Sequence, residues 1–152
     1  MGDKRFPKRP RLINFDYLGT YAYFVTILTH DRSLYFKETE VIGRLVNILV
    51  ETARLKKFKI FTYCFMPDHA HLLTIGEERK SDLKKFISLF KQKSGYWFKQ
   101  SYNKNLWHTS YYDHILRKEE SLEQVALYIL GNPVRKGLVA NFREYPFSFS
   151  QG

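Results

Sequence analysis

Residues 58–75 read FKIFTYCFMPDHAHLLTI, and the fold turns on them. Two runs rich in β-branched and aromatic residues, 58–67 and 69–75, follow each other closely, and Pro67 stops the first. Both are expected to be strands. Alternate side chains of a strand share a face, so His69 and His71 should project together, with Cα atoms roughly 6.5 Å apart. Asp68 and Ala70 should point the other way. Two imidazoles at that spacing can converge on one metal ion. A bare His-x-His pair is more often structural, so a site here requires a further donor.

Working outward, YAYFVTILTH (21–30) is a strand by composition. In 38–57, apolar residues at Val41, Ile42, Leu45, Ile48, Leu49 and Leu55 have helical spacing, and the basic end suits the helix dipole. A second helix is predicted over 81–100, capped by Ser81, with Leu83, Phe86, Ile87 and Phe90 along one face. Lys84, Lys85, Lys91 and Lys93 ride elsewhere on it. A fourth strand is expected at roughly 111–116. A third helix opens at Ser121 and should end at Asn132-Pro133, because proline disfavours the α conformation in the residue before it. The order βαββαβ plus a terminal helix fits an α+β, ferredoxin-like antiparallel sheet with helices on one face. A single domain is expected over 19–152, preceded by a basic arm over 1–18 that carries Arg5, Arg9 and Arg11. That arm reads either as a solubilising tail or as a segment that follows a phosphate backbone.

Lys+Arg numbers 25 against Asp+Glu 15, a formal charge of +10 on 152 residues. That excess points to a polyanionic partner, and 13 Phe with 11 Tyr favour nucleic acid, whose bases stack on rings. Lys91, Lys93, Arg117, Arg135 and Lys136 are candidate phosphate contacts, each equally readable as part of a solvated basic face. Tyr111, Tyr112, Trp97 and Trp107 are candidates to stack bases or to pack in the core. Cys64 is the lone cysteine, which excludes a disulfide framework and paired-thiolate zinc. Neither a signal core nor a bilayer-spanning run is visible, so a cytoplasmic, nucleoid-associated protein without membrane contact is expected.

Tyr128 and Asn132 stand four residues apart on the last helix, hence on one face about 6 Å apart. Val125, Leu127, Ile129 and Leu130 can supply the core contacts of those turns. Tyr128 is therefore either a spare functional group or a tyrosine with a buried ring. The Asn132 amide oxygen is a hard neutral metal donor, or an ordinary residue at a helix end.

FMPDHAHLL resembles the HUH motif (His, hydrophobic residue, His) of single-tyrosine transposases. YFVTILTHDRSLYF, WHTSYYDHILRKEESLEQVALYILGNPVRKGLV and YPFSFS resemble the REP-associated tyrosine transposases of the IS200-like group, and the likeness runs from Gly19 to Phe149. The resemblance implies His69, His71 and Asn132 as ligands of Mg²⁺ or Mn²⁺ and Tyr128 as nucleophile. It implies single-stranded or hairpin DNA as substrate, a 5′-phosphotyrosine intermediate with a free 3′ hydroxyl, then strand rejoining. It leaves monomer and homodimer both open. Residues 4–11, where relatives read a flanking tetranucleotide, are poorly matched. Two rival readings are a non-catalytic nucleic-acid binder on the same sheet and a histidine-dependent phosphohydrolase. A histidine-triad enzyme would want a third histidine where Leu73 stands.

Overall fold

A computed structural model of the chain describes residues 15–117 and 119–151. Arg5, Arg9 and Arg11 lie outside the described residues. The elements run β1 (Ala22–Thr29), α1 (Thr39–Leu55), β2 (Phe58–Met66), β3 (His69–Gly76), α2 (Leu83–Tyr102), β4 (Trp107–Ile115), α3 (Leu122–Leu130), α4 (Asn132–Arg135) and β5 (Ser148–Ser150). The strands form one antiparallel sheet in the order β4-β1-β3-β2-β5. Its first four strands have the ferredoxin-like order, and β5 extends the β2 edge.

Strand alternation divides the side chains between two layers. Tyr23, Val25 and Ile27 of β1 and Ala70 and Leu72 of β3 meet the apolar stripes of α1 and α2 in the main core. Val41, Ile42, Leu45 and Leu49 of α1 and Phe86, Ile87 and Phe90 of α2 are buried there. Each such side chain contributes about 1.5–3 kcal/mol relative to an exposed one. The opposite face carries Phe24, Cys64, Met66 and Leu73, covered by Val125, Ala126 and Ile129 of α3. So α1 and α2 lie on one face, and the helix bearing Tyr128 lies on the other.

Several local expectations need correction. Asp82 caps α2, accepting from the Lys85 N–H at 3.1 Å, whereas Ser81 turns away and donates to the Lys57 carbonyl. β4 begins at Trp107 rather than near 111, because a register shift between Ile27 and Thr29 lets β1 pair that far. Ser121 does cap α3. The helix does not stop at Asn132. It breaks at Gly131 and runs on through α4, with Pro133 in the first turn, where a missing N–H leaves nothing unpaired. The Arg135 and Lys136 N–H groups donate to Gly131 and Asn132 and continue the helical ladder. Leu127 is 61% exposed and gives α3 no core contact; Val125, Ala126 and Ile129 do so. No described helix is long and apolar enough to cross a membrane.

Candidate active site

Met66 pairs with His69, so Pro67 and Asp68 form a two-residue turn between β2 and β3. The end of β1 stitches this turn in place. The Thr29 N–H and hydroxyl both donate to the Asp68 carbonyl at 3.0 Å, and the Phe36 N–H donates to the Pro67 carbonyl. Beyond the turn, His69, His71 and Leu73 project to the α3 face while Ala70 and Leu72 project to the main core, as alternation requires.

The two imidazoles converge. Their Nε2 atoms lie 3.2 Å apart, and their ring centroids 4.6 Å. His71 Nδ1 is 3.0 Å from the Thr26 hydroxyl. His69 Nδ1 is 2.7 Å from Asp68 Oδ1. The Arg32 Nε and a terminal guanidinium nitrogen reach the other carboxylate oxygen at 3.1 and 2.9 Å. Burial alone would raise the Asp68 carboxyl. The hydrogen bond from His69, with the Arg32 charge, outweighs it and holds the group below its ordinary range. An ionised carboxylate only accepts, so the proton sits on His69 Nδ1 and the Nε2 lone pair faces inward, toward His71 and Asn132. Asp68 was expected to point away from the histidines. It belongs to the turn, where strand alternation has not begun.

Asn132 is buried, and its side-chain nitrogen lies 3.5 Å from His69 Nε2. Amide oxygen and nitrogen exchange places by a half-turn about the Cβ–Cγ bond, so either can be presented to the imidazole. Two nitrogens held on one ion at roughly 2.1 Å and a right angle would stand about 3 Å apart, close to what is observed. Two lone pairs facing at 3.2 Å repel unless a proton or cation lies between them. These donors therefore fit a divalent ion. Among the described residues no three His, Cys, Asp or Glu side chains could hold a metal, and the Asn132 amide is the further side-chain donor beside the two imidazoles.

Tyr128 is half-buried beside this group. Its ring packs edge-on against Phe24 at 6.0 Å, and Phe24 packs edge-on against His71 at 5.3 Å. Arg135 lies over the Tyr128 ring, with Cζ 4.1 Å from the centroid, and donates to the Tyr128 carbonyl at 2.7 Å. His69, His71, Asn132, Tyr128 and Arg135 thus come together from β3, α3 and α4.

The remaining candidates sit elsewhere. Lys91 donates to the His108 and Ser110 carbonyls and approaches the Tyr111 ring at 5.8 Å. Tyr111 packs against the α1–α2 core, on the face away from the histidines. Tyr112 pairs with Thr26 and takes the histidine face instead. Lys93 lies 3.8 Å from Glu51 of α1. Arg117 and Lys136 are exposed. Trp107 is buried and donates to Ser94. His114 pairs with Glu120 at 2.9 Å and serves as a tie between β4 and the turn before α3. Burial pushes the Cys64 thiol up to about 12, with the Arg135 charge only partly opposing, so that sulfur stays protonated and inert. Sequence reasoning missed Asp68, Arg32, Thr26 and Phe24. Only Asp68, adjacent to a histidine, left any trace in the sequence.

The family model described as "Transposase IS200 like" matches residues 18–132. An Escherichia coli K12 REP-associated tyrosine transposase is 24% identical over 132 residues, covering 87% of this chain and 78% of that protein. A Haemophilus influenzae Rd protein, provisionally named as a REP-associated tyrosine transposase, is 26% identical over 137 residues, covering 83% and 77%. Among solved structures, a REP-associated tyrosine transposase bound to a REP hairpin superposes with a TM-score of 0.74 at 23% identity, covering 94% of this chain and 82% of that one. The family match spans β1 to β4 and α3, well over half of the chain, and on that ground the chain belongs to the IS200-like transposase family.

Proposed function

We propose that the protein cuts and rejoins single-stranded DNA at hairpin elements, with Tyr128 as the attacking group. The observation that carries this reading is the juxtaposition, within one chain, of two converged imidazoles, a buried amide and a tyrosine on the same helical face. His69, His71 and Asn132 would hold Mg²⁺ or Mn²⁺, which when bound polarises the scissile phosphate and offsets charge on the leaving oxygen. Asp68 and Thr26 fix the imidazole orientations, so both Nε2 atoms face the same point without reorganisation.

A phenol has an ordinary pKa near ~10 and is mostly protonated at neutral pH. In the proposed step the Tyr128 oxygen bonds to phosphorus as the P–O3′ bond breaks. The phenolic proton passes to solvent, and the departing 3′ oxygen takes one up. A phosphodiester is exchanged for a phosphotyrosine, so no nucleotide energy source is needed. Attack by another 3′ hydroxyl reverses the step and releases the phenol. Tyr128 rests on Phe24 and Phe24 on His71, which supports a tyrosine acting beside the histidines of its own chain.

The test uses a pool of DNA hairpins with randomised single-stranded flanks, labelled at the 3′ end, and Mn²⁺ or Mg²⁺. A covalent protein–DNA adduct that survives a denaturing gel and maps to Tyr128 is expected. Tyr128→Phe should abolish the adduct and keep DNA binding. Free 5′ phosphate with no adduct would instead indicate hydrolysis, and an adduct retained by Tyr128→Phe would assign the nucleophile elsewhere, Tyr112 first.

A further inference from the structure

We infer that Arg135 and Gly131 together form a clamp that fixes the Tyr128 side chain, and that Arg135 is a positioning residue for the attacking phenol rather than a phosphate contact. The inference deepens the reading of Tyr128 as nucleophile and rests on it where it speaks of rate.

Seven residues are nearly two helical turns, so Tyr128 and Arg135 share a face to within about 20°. Their Cα atoms are nonetheless two turns apart along the axis. Helical side chains lean toward the N-terminus, which lets the long Arg135 stem run back past the intervening turn. It ends with the guanidinium Cζ over the phenol ring, 4.1 Å from its centroid, and a nitrogen donating to the Tyr128 carbonyl at 2.7 Å. One residue thus grips both the ring and the backbone of another. The ring also packs edge-on against Phe24, whose centroid is 6.0 Å away.

The path of the arginine depends on a missing methyl group. A Cβ built on Gly131 would stand 2.9 Å from Arg135 Nη1 and 3.2 Å from the Leu127 carbonyl oxygen. Guanidinium and methyl cannot share that space. The guanidinium, at the end of a flexible side chain, is the group that would have to shift. Gly131 has φ −77° and ψ −9°, ordinary helical values, so backbone conformation gives no reason for glycine here. Glycine in a helix costs about 1 kcal/mol relative to alanine. The close approach of Arg135 supplies the reason.

A planar cation that both stacks and donates is a task for arginine, which lysine performs only in part. A near-attack geometry is sensitive to displacements of about 1 Å, and a ring freed to change rotamer loses it.

Fluorotyrosine placed at 128, read by ¹⁹F NMR, tests the clamp without reference to activity. In the wild type the fluorine should give a resonance shifted by the overlying cation. Arg135→Ala and Gly131→Ala should each move it toward the free amino-acid position. Identical spectra in all three proteins would overturn the inference. For the pool member that wild type cleaves, single-turnover cleavage at saturating DNA should fall about 10- to 100-fold in Arg135→Ala. Affinity for that DNA should stay within about twofold. Gly131→Ala should slow cleavage comparably at unchanged thermal stability, and Arg135→Lys should recover part of the rate. Full-rate cleavage with weakened, less salt-sensitive binding in Arg135→Ala would make Arg135 a phosphate contact and overturn the clamp. If wild type forms no adduct with any pool member, the proposed nucleophile falls, while the fluorine spectra still decide whether the clamp exists.

Discussion

His69 presents its Nε2 because Asp68 holds the opposite nitrogen, and Asp68 is in turn held by Arg32. Such a chain of contacts restrains the imidazole in one tautomer and one orientation, as the proposed metal-ligand role requires. Arg32 is placed by a costly backbone: it and Asp31 both have φ of 54°, left-handed values that non-glycine residues rarely adopt. Asp68→Ala should therefore weaken Mn²⁺ binding about 10- to 100-fold while the protein stays folded, as titration calorimetry and circular dichroism would measure. Unchanged Mn²⁺ affinity would remove Asp68 from the site. At this scale the sequence was partly legible. The parity of His69 and His71 follows from strand alternation and needs only the strand to be recognised. The side on which Asp68 lies does not follow, because the residue before a strand obeys the turn. Arg135 was visible as a charge, but its reach back to Tyr128 depends on side-chain direction and on the absence of a methyl group at Gly131.

Among the elements, the connection from β4 to α3 sets where the helix carrying Tyr128 begins. Glu120 closes it, accepting from the Arg117 N–H at 2.8 Å and from His114 at 2.9 Å. Burial would raise the Glu120 carboxyl, but the backbone bond from Arg117 and the His114 contact outweigh it and hold it below its ordinary value of 4.5. A carboxyl lowered on folding stabilises above its unfolded pKa and loses that contribution as pH falls through the folded one. Glu120→Gln should thus cost about 1 kcal/mol at neutral pH, and the gap to wild type should close as the pH drops below about 4.5. Urea unfolding across pH 3–7 would measure it, and a constant gap would contradict the assignment. Elements themselves were read with uneven success. α1 and α2 announced themselves by periodicity. In the first half of β4 only Trp107 is buried, and the exposed residues 108–110 show no apolar alternation to read. The stop at Pro133 was overridden because the chain uses that proline inside the first turn of a new helix.

At the level of the whole molecule, charge and chain connectivity govern behaviour. With +10 net charge, affinity for single-stranded DNA should fall by about two to four orders of magnitude between 50 and 200 mM salt if six to ten phosphates are contacted. Filter binding across that range measures the slope, and a flat response would argue against a phosphate-tracking surface. Contacts within one chain also make a prediction about mixtures. Tyr128→Phe combined with His71→Ala should remain inactive, because neither chain carries a complete site. Recovery of adduct in the mixture would show that tyrosines are exchanged between subunits. The four-strand order was legible from the succession of elements, since βαββαβ admits few compact arrangements. That the last helix covers the face opposite α1 and α2 was not, because nothing in its own pattern names the sheet face it meets.

Tyr128 and Asn132 ride one continuous helical segment, joined through the Gly131 break. A movement of that whole segment would carry the phenol and the amide together. With Tyr128 and Asn132 in their proposed roles, such a movement would retract the attacking group and loosen the ion in one event.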